Sequence, residues 1–348
     1  MKKKIVSIYS IIHFIVDLSC AVLVTNLVTQ KLGGGMPLFL AIVLYNFFAF
    51  AMQFPIGIIA DKVNKNALCS ALGCVLVAIA FAFSNFGILS CIIAGIGNSL
   101  FHVGGGIDVL NISDKKATLS GIFVSTGAMG IFLGSKSASI GFNKYYLVVL
   151  MLLVSAIALF TLYKQIKNKV INNQIEIIKL SRKEVIAVIC IFLTVALRSY
   201  VGLILAFSWK SKFIYALLFV IGVILGKMLG GIIGDRIGYK KISLSLIISA
   251  ICFIFAFDHP VIGIIAILLF NMTMPITLIV LSNIFNNNKG LAFGLLTLAL
   301  FVGFVPTCVG MNQLFTQVGL FSLTIVSSIL LYISLRCNEK ANKKIKEK

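Results

Sequence analysis

The feature that most constrains this chain is a recurring run of about twenty apolar residues with no two-residue alternation. Such runs fall at 5–30, 36–60, 67–84, 86–110, 118–140, 145–163, 184–208, 211–234, 242–257, 260–284, 290–311 and 315–335. About 20 helical residues, rising ~1.5 Å each, cross the ~30 Å of bilayer hydrocarbon. A transmembrane barrel needs strands that alternate apolar and polar residues, and that pattern is missing. The expected fold is therefore all-α, a polytopic membrane protein of 12 transmembrane helices. Composition points the same way: of 348 residues, 60% are hydrophobic and 11% charged, too few polar groups to clothe a soluble domain of this size. The run at 242–257 is the shortest and needs its flanks to span.

A net charge of +20 would suggest nucleic acid in a soluble chain. Here the basic residues sit in the short segments between apolar runs, so no nucleic-acid partner is expected. With the N-terminus inside, 23 of the 30 Lys and Arg lie on the inner side and four on the outer; Lys136, Arg198 and Lys227 fall within runs. That bias predicts a multi-pass protein of the cell membrane with both termini cytoplasmic. The first run carries His13 and Asp17 and is followed by no small-residue cleavage site, so it is expected to remain as a span rather than act as a signal peptide. The eight cysteines are scattered singly with no C-x-x-C, which reads as small buried residues and neither disulfides nor a metal centre.

The chain repeats itself. GIIADKVNKN at 57–66 returns as GIIGDRIGYKK at 231–241, which puts Asp61 and Asp235 174 residues apart, half the chain. KKATLSGIFVSTGAMGIFLG at 115–134 overlies NKGLAFGLLTLALFVGFVPT at 288–307 with a spacing of 173. Two pseudo-symmetric six-helix bundles are expected, 1–163 and 184–348, joined by a basic cytoplasmic linker at 164–183. Gly57 and Gly231 permit close helix approach. Asp61 and Asp235, followed by Lys62 and Arg236, stand at helix ends where a carboxylate can meet the positive N-terminus of another helix. That contact is a candidate gate.

With these residues in view, the chain resembles the major facilitator superfamily of secondary transporters over nearly its whole length. The doubled G-x-x-x-D-(K/R) loop carries most of the likeness. HFIVD (13–17), QFPIGIIAD (53–61) and GNSLFHVGGG (97–106) are also similar to the fosmidomycin-resistance group of exporters, with Val103 where that group has proline. The resemblance implies alternating access, a small-molecule substrate, a lipid bilayer around a monomer, no cofactor and export, with helices one and four lining the central site.

Charges inside a membrane cost ~3 kcal/mol or more, which makes each a functional candidate. His13 and Asp17 lie four apart on one helix face, and His102 sits at similar depth in the fourth run. A carboxylate with two imidazoles near the midplane is a candidate proton-coupling site, the alternative being a structural interhelical bond. The three histidines look too dispersed for a metal site. Asn98, one turn before His102, adds a polar group to that face and is a candidate substrate contact. Arg198 and Lys136, with Asn271 and Thr273 around Pro275, are candidate contacts for an anionic or zwitterionic substrate. Asp108 and Lys227 are a candidate gating pair. The function expected is a proton-coupled secondary active transporter and not an enzyme. A proton-coupled importer and an integral-membrane transferase are the alternatives.

Overall fold

The computed structural model describes residues 2–167, 179–311 and 317–346. Among these it is helical with no strands. Among the described residues, ten helices are long and apolar enough to cross a membrane. In chain order the helices are α1 (Lys2–Leu32), α2 (Gly35–Val63), α3 (Asn66–Ala82), α4 (Ile88–Ile112), α5 (Ala117–Lys136), α6 (Tyr145–Gln165), α7 (Arg182–Ile204), α8 (Phe213–Ile237), α9 (Tyr239–Ser243 and Ser245–Phe255), α10 (Pro260–Ile284), α11 (Lys289–Cys308) and α12 (Gln317–Lys346). The third and ninth expected spans are thus shorter helices, and α9 is interrupted at Leu244. Most of the linker expected at 164–183 lies outside the described residues. Its last part forms the start of α7, where Ser181 and Glu184 build a reciprocal capping box that holds the first free backbone N–H groups.

The chain divides into two compact units. The first is Met1–Ile112, Phe123–Ile175 and Asn287–Leu298; the second is Ser113–Ile122, Glu176–Asn286 and Ala299–Lys348. The beginnings of α5 and α11 therefore each cluster with the half of the sequence to which they do not belong. Aliphatic side chains such as Leu150, Val154 and Ile157 on α6 are exposed, an arrangement suited to lipid and not to water.

The repeat read from sequence reappears in the backbone. The turn after α2 passes through Asn64 at φ 52°, and the turn after α8 passes through Gly238 at φ 95°. These two residues are again 174 apart. The Asn64 N–H bonds the carbonyl of Ala60 at 2.8 Å, and the Gly238 N–H bonds the carbonyl of Gly234 at 2.9 Å, closing both helices in the same way.

Candidate functional site

Helix α1 places Tyr9, His13 and Asp17 at successive four-residue steps, so the three side chains form one stripe. Helix α4 brings Asn98 and His102 against that stripe. Helix α5 closes it through Gly127 and Gly130. A Cβ on Gly127 would overlap the Asp17 carboxylate and the His13 ring, and one on Gly130 would overlap the carbonyl of Phe14. Two hydrogens in place of two methyl groups let α5 approach closely enough for its Phe123 carbonyl to reach His13.

The result is a buried cluster. Nε2 of His13 lies 3.2 Å from Oδ2 of Asp17, and Nε2 of His102 lies 3.6 Å from Oδ1 of the same carboxylate. The two Nε2 atoms are 2.9 Å apart. Asn98 donates its side-chain amide to Asp17 Oδ1 at 3.3 Å, and its backbone carbonyl faces Nδ1 of His102 at 2.9 Å. Nδ1 of His13 faces the carbonyl of Phe123 at 2.7 Å. The expectation that the histidines are dispersed is corrected here: His259 stands apart, but His13 and His102 touch.

The carbonyl contacts fix the chemistry of both rings. A backbone carbonyl only accepts, so each Nδ1 carries a hydrogen and donates it. In the neutral rings both Nε2 atoms then present lone pairs to each other and to a carboxylate. Three electron-pair donors crowded within 4.8 Å repel unless a cation stands among them.

A second polar group lies on the same stripe. Asp108 of α4 accepts from the Tyr9 hydroxyl at 2.6 Å and from the Asn66 side-chain amide at 2.9 Å. Both carboxylate oxygens are thus engaged by neutral donors. Lys227 is half-buried on α8. Sequence reasoning missed Tyr9, although its position one turn before His13 was a legible signal.

In the second unit, Arg198 of α7 is 8% exposed. Its Nη2 donates to the carbonyl of Phe270 at 3.0 Å, and its guanidinium carbon stands 4.9 Å from the centre of the Phe270 ring. Its Nε is buried with no hydrogen-bond partner. No acidic side chain pairs with it among the described residues. The Phe270 carbonyl is available because α10 breaks: Met272 N–H bonds Leu269 instead of continuing the helix, and Pro275 opens the next stretch. Asn271 and Thr273 turn their polar groups to carbonyls of their own helix, Ile267 at 2.9 Å and Phe270 at 3.3 Å. Lys136 is the last residue of α5.

The two Asp residues of the repeat make one contact twice. Asp61 accepts the N–H groups of Gly290 and Leu291 at 2.7 and 2.9 Å, at the start of α11. Asp235 accepts those of Ala117 and Thr118 at 2.8 and 2.9 Å, at the start of α5. The accepted residues are themselves 173 apart. Asp235 also holds the Thr118 hydroxyl at 2.5 Å and the Tyr239 hydroxyl at 2.8 Å. A Cβ on Gly57 would overlap the Gly290 carbonyl, and one on Gly231 would stand 2.6 Å from the Ala117 carbonyl oxygen. Lys62 and Arg236 are exposed.

No protein-family model matches the chain. No curated protein matches it by sequence. Solved structures do. The human organic anion transporter MFSD10 superposes with a TM-score of 0.66 at 13% identity, covering 97% of this chain and 99% of its own. A bacterial homologue of the iron transporter ferroportin, outward-facing, gives 0.65 at 13% identity with the same coverage. The E. coli fucose:proton symporter FucP gives 0.64 at 13%, covering 96% and 97%. A further FucP structure, described as a major facilitator superfamily transporter, gives 0.57 at 14%. The chain is a polytopic, all-α membrane protein with the fold these transporters share.

Proposed function

We propose that the chain is a secondary active transporter of the major facilitator superfamily that moves a small anionic molecule by alternating access, outward across the cell membrane and driven by protons. The observation that carries this reading is Arg198. Of its five N–H donors one is engaged, its charge has no acidic partner among the described residues, and it is buried in a membrane-spanning helix. An unpaired buried guanidinium is costly and is held ready for an anion, which a carboxylate or phosphonate satisfies with two parallel bonds. The organic anion transported by one structural neighbour and the proton used by another are in keeping with this assignment.

In this reading the His13–Asp17–His102 cluster is the ion-coupling site, and its occupancy shifts the balance between conformations by differential binding. Asp61 and Asp235, with the glycines beside them, hold one conformation closed through helix N-termini that separate when the protein opens. Export follows the likeness of HFIVD and GNSLFHVGGG to the exporter group. Both termini are cytoplasmic and the protein acts as a monomer.

The test is reconstitution into liposomes with an imposed proton gradient and a panel of radiolabelled carboxylates and phosphonates. At least one anion is expected to move in a gradient-dependent way, and Arg198→Met is expected to abolish that movement. Gradient-driven movement that favours cations or neutral sugars, and persists in Arg198→Met, would defeat the proposal.

A further inference from the structure

The separations within the cluster carry more than a demand for positive charge. A divalent transition metal binds His nitrogen and carboxylate oxygen at about 2.0–2.1 Å, and a tetrahedral arrangement then puts neighbouring ligand atoms about 3.3–3.4 Å apart. The two Nε2 atoms stand 2.9 Å apart, His13 Nε2 lies 3.2 Å from Asp17 Oδ2 and His102 Nε2 lies 3.6 Å from Asp17 Oδ1, separations close to this edge that a small rotation of the carboxylate can bring onto one oxygen. A proton shared between the two rings accounts for the shortest of the three distances. It does not account for a carboxylate that turns Oδ2 to His13 and Oδ1 to His102, so that the three groups offer ligand atoms all within 4.8 Å of one another.

The surroundings match as well. Ligating histidines usually donate their second ring N–H to a carbonyl or carboxylate, which fixes the tautomer and aims the lone pair. Both rings do so here, to Phe123 and to Asn98. Asn98 further restrains Asp17 through its side chain. Three protein ligands leave the fourth vertex of the tetrahedron open, the form taken by sites that exchange what they hold and not by closed structural sites. His102 is the least buried of the three, its side chain 13% exposed against 6% for His13 and 9% for Asp17, so the approach is from its side. Two imidazoles and a single carboxylate suit zinc, cobalt, nickel or ferrous iron, whereas calcium and magnesium call for oxygen ligands.

We infer that His13, Asp17 and His102 form an exchangeable binding site for a divalent transition-metal ion, open at one coordination position. The inference rests on reading the cluster as the transporter's ion site, and it gives that site a second occupant that competes with the proton.

Cobalt(II) is the probe, because its visible ligand-field bands report coordination directly. Full-length protein, purified in detergent and stripped with chelator, is titrated with cobalt. The expected result is one ion per chain with the intense bands of a tetrahedral nitrogen–oxygen site, bleached when zinc is added. Affinity is expected to fall at least about tenfold in Asp17→Asn and in His102→Gln, and to be unchanged in His259→Gln, whose side chain is exposed and outside the cluster. His13→Gln is a third arm should Asp17→Asn fail to fold, with thermal unfolding recorded for every variant. No binding by the wild-type chain, octahedral bands alone, or binding untouched by His102→Gln and His13→Gln would overturn the inference. Liposome transport measured in chelator keeps the two readings separate: proton-driven anion movement without cobalt binding removes the metal and leaves the transporter.

Discussion

Replacing Arg198 with methionine is expected to stabilise the empty protein while it destroys anion transport. Holding an unpaired ion in a low-dielectric interior costs several kcal/mol even after relaxation. Against this, Arg198 makes one charged hydrogen bond, worth about 1.5–3 kcal/mol, and one ring contact worth about 0.5–2 kcal/mol. Methionine has similar reach and fills irregular space, so little cavity is left. The Phe270 carbonyl is not orphaned by the change, because the Thr273 hydroxyl still donates to it. The net gain is about 1–3 kcal/mol, in the range seen when buried ionic groups give way to apolar ones. For a chain of this length that is a rise of about 2–6 °C in apparent unfolding temperature. The measurement is thermal unfolding in detergent, paired with liposome transport; Arg198→Lys, which keeps the charge but loses the planar fork, is expected to keep only part of the activity. A lower unfolding temperature for Arg198→Met would mean that the guanidinium holds the helices together, and the argument for a waiting anion would fail.

The other expectations concern the first unit and the paired helix contacts. Asp235→Asn and Asp61→Asn each leave one backbone N–H at a helix start without its carboxylate oxygen, a loss of about 1–2 kcal/mol in thermal unfolding. Asp235→Asn should be the worse of the two because Thr118 and Tyr239 also bond to it; equal effects would count against the cap as the cause. Gly127→Ala drives a methyl group into Asp17 and His13, so gradient-driven transport is expected to fall at least about tenfold alongside an overpacking cost of about 1–3 kcal/mol. Transport at wild-type rate would show that the cluster takes no part. Tyr9→Phe removes a hydrogen bond from a buried carboxylate and is expected to cost about 1.5–3 kcal/mol in thermal unfolding. Adding Asp108→Asn should recover part of that loss, and a simple sum of the two effects would rule out coupling between them.

How far the sequence reaches depends on what kind of information each feature carries. Span length is a property of one stretch of chain, and the long apolar runs became helices for that reason. The duplication is equally local in form, and the 174-residue offset extends to the turn residues Asn64 and Gly238, one left-handed by virtue of its amide side chain and the other by having none. Long-range pairing is a different matter. His13 and Asp17 share a face by spacing alone, but their meeting with His102 depends on how α1 packs against α4, and Gly127 and Gly130 of a third helix stand close against α1 at the same place. The neutral donors to Asp108 gave little warning of themselves, and one of them, Asn66, begins a helix that its sequence marks only as apolar. The deciding partners of the cluster are harder still to foresee. The carbonyls of Phe123 and Asn98 fix both imidazole tautomers, yet a backbone carbonyl is present at every position and marks none. The residue types of such a cluster can thus be read from a chain like this one, whereas the direction of its lone pairs follows only from which peptide groups the helices bring alongside.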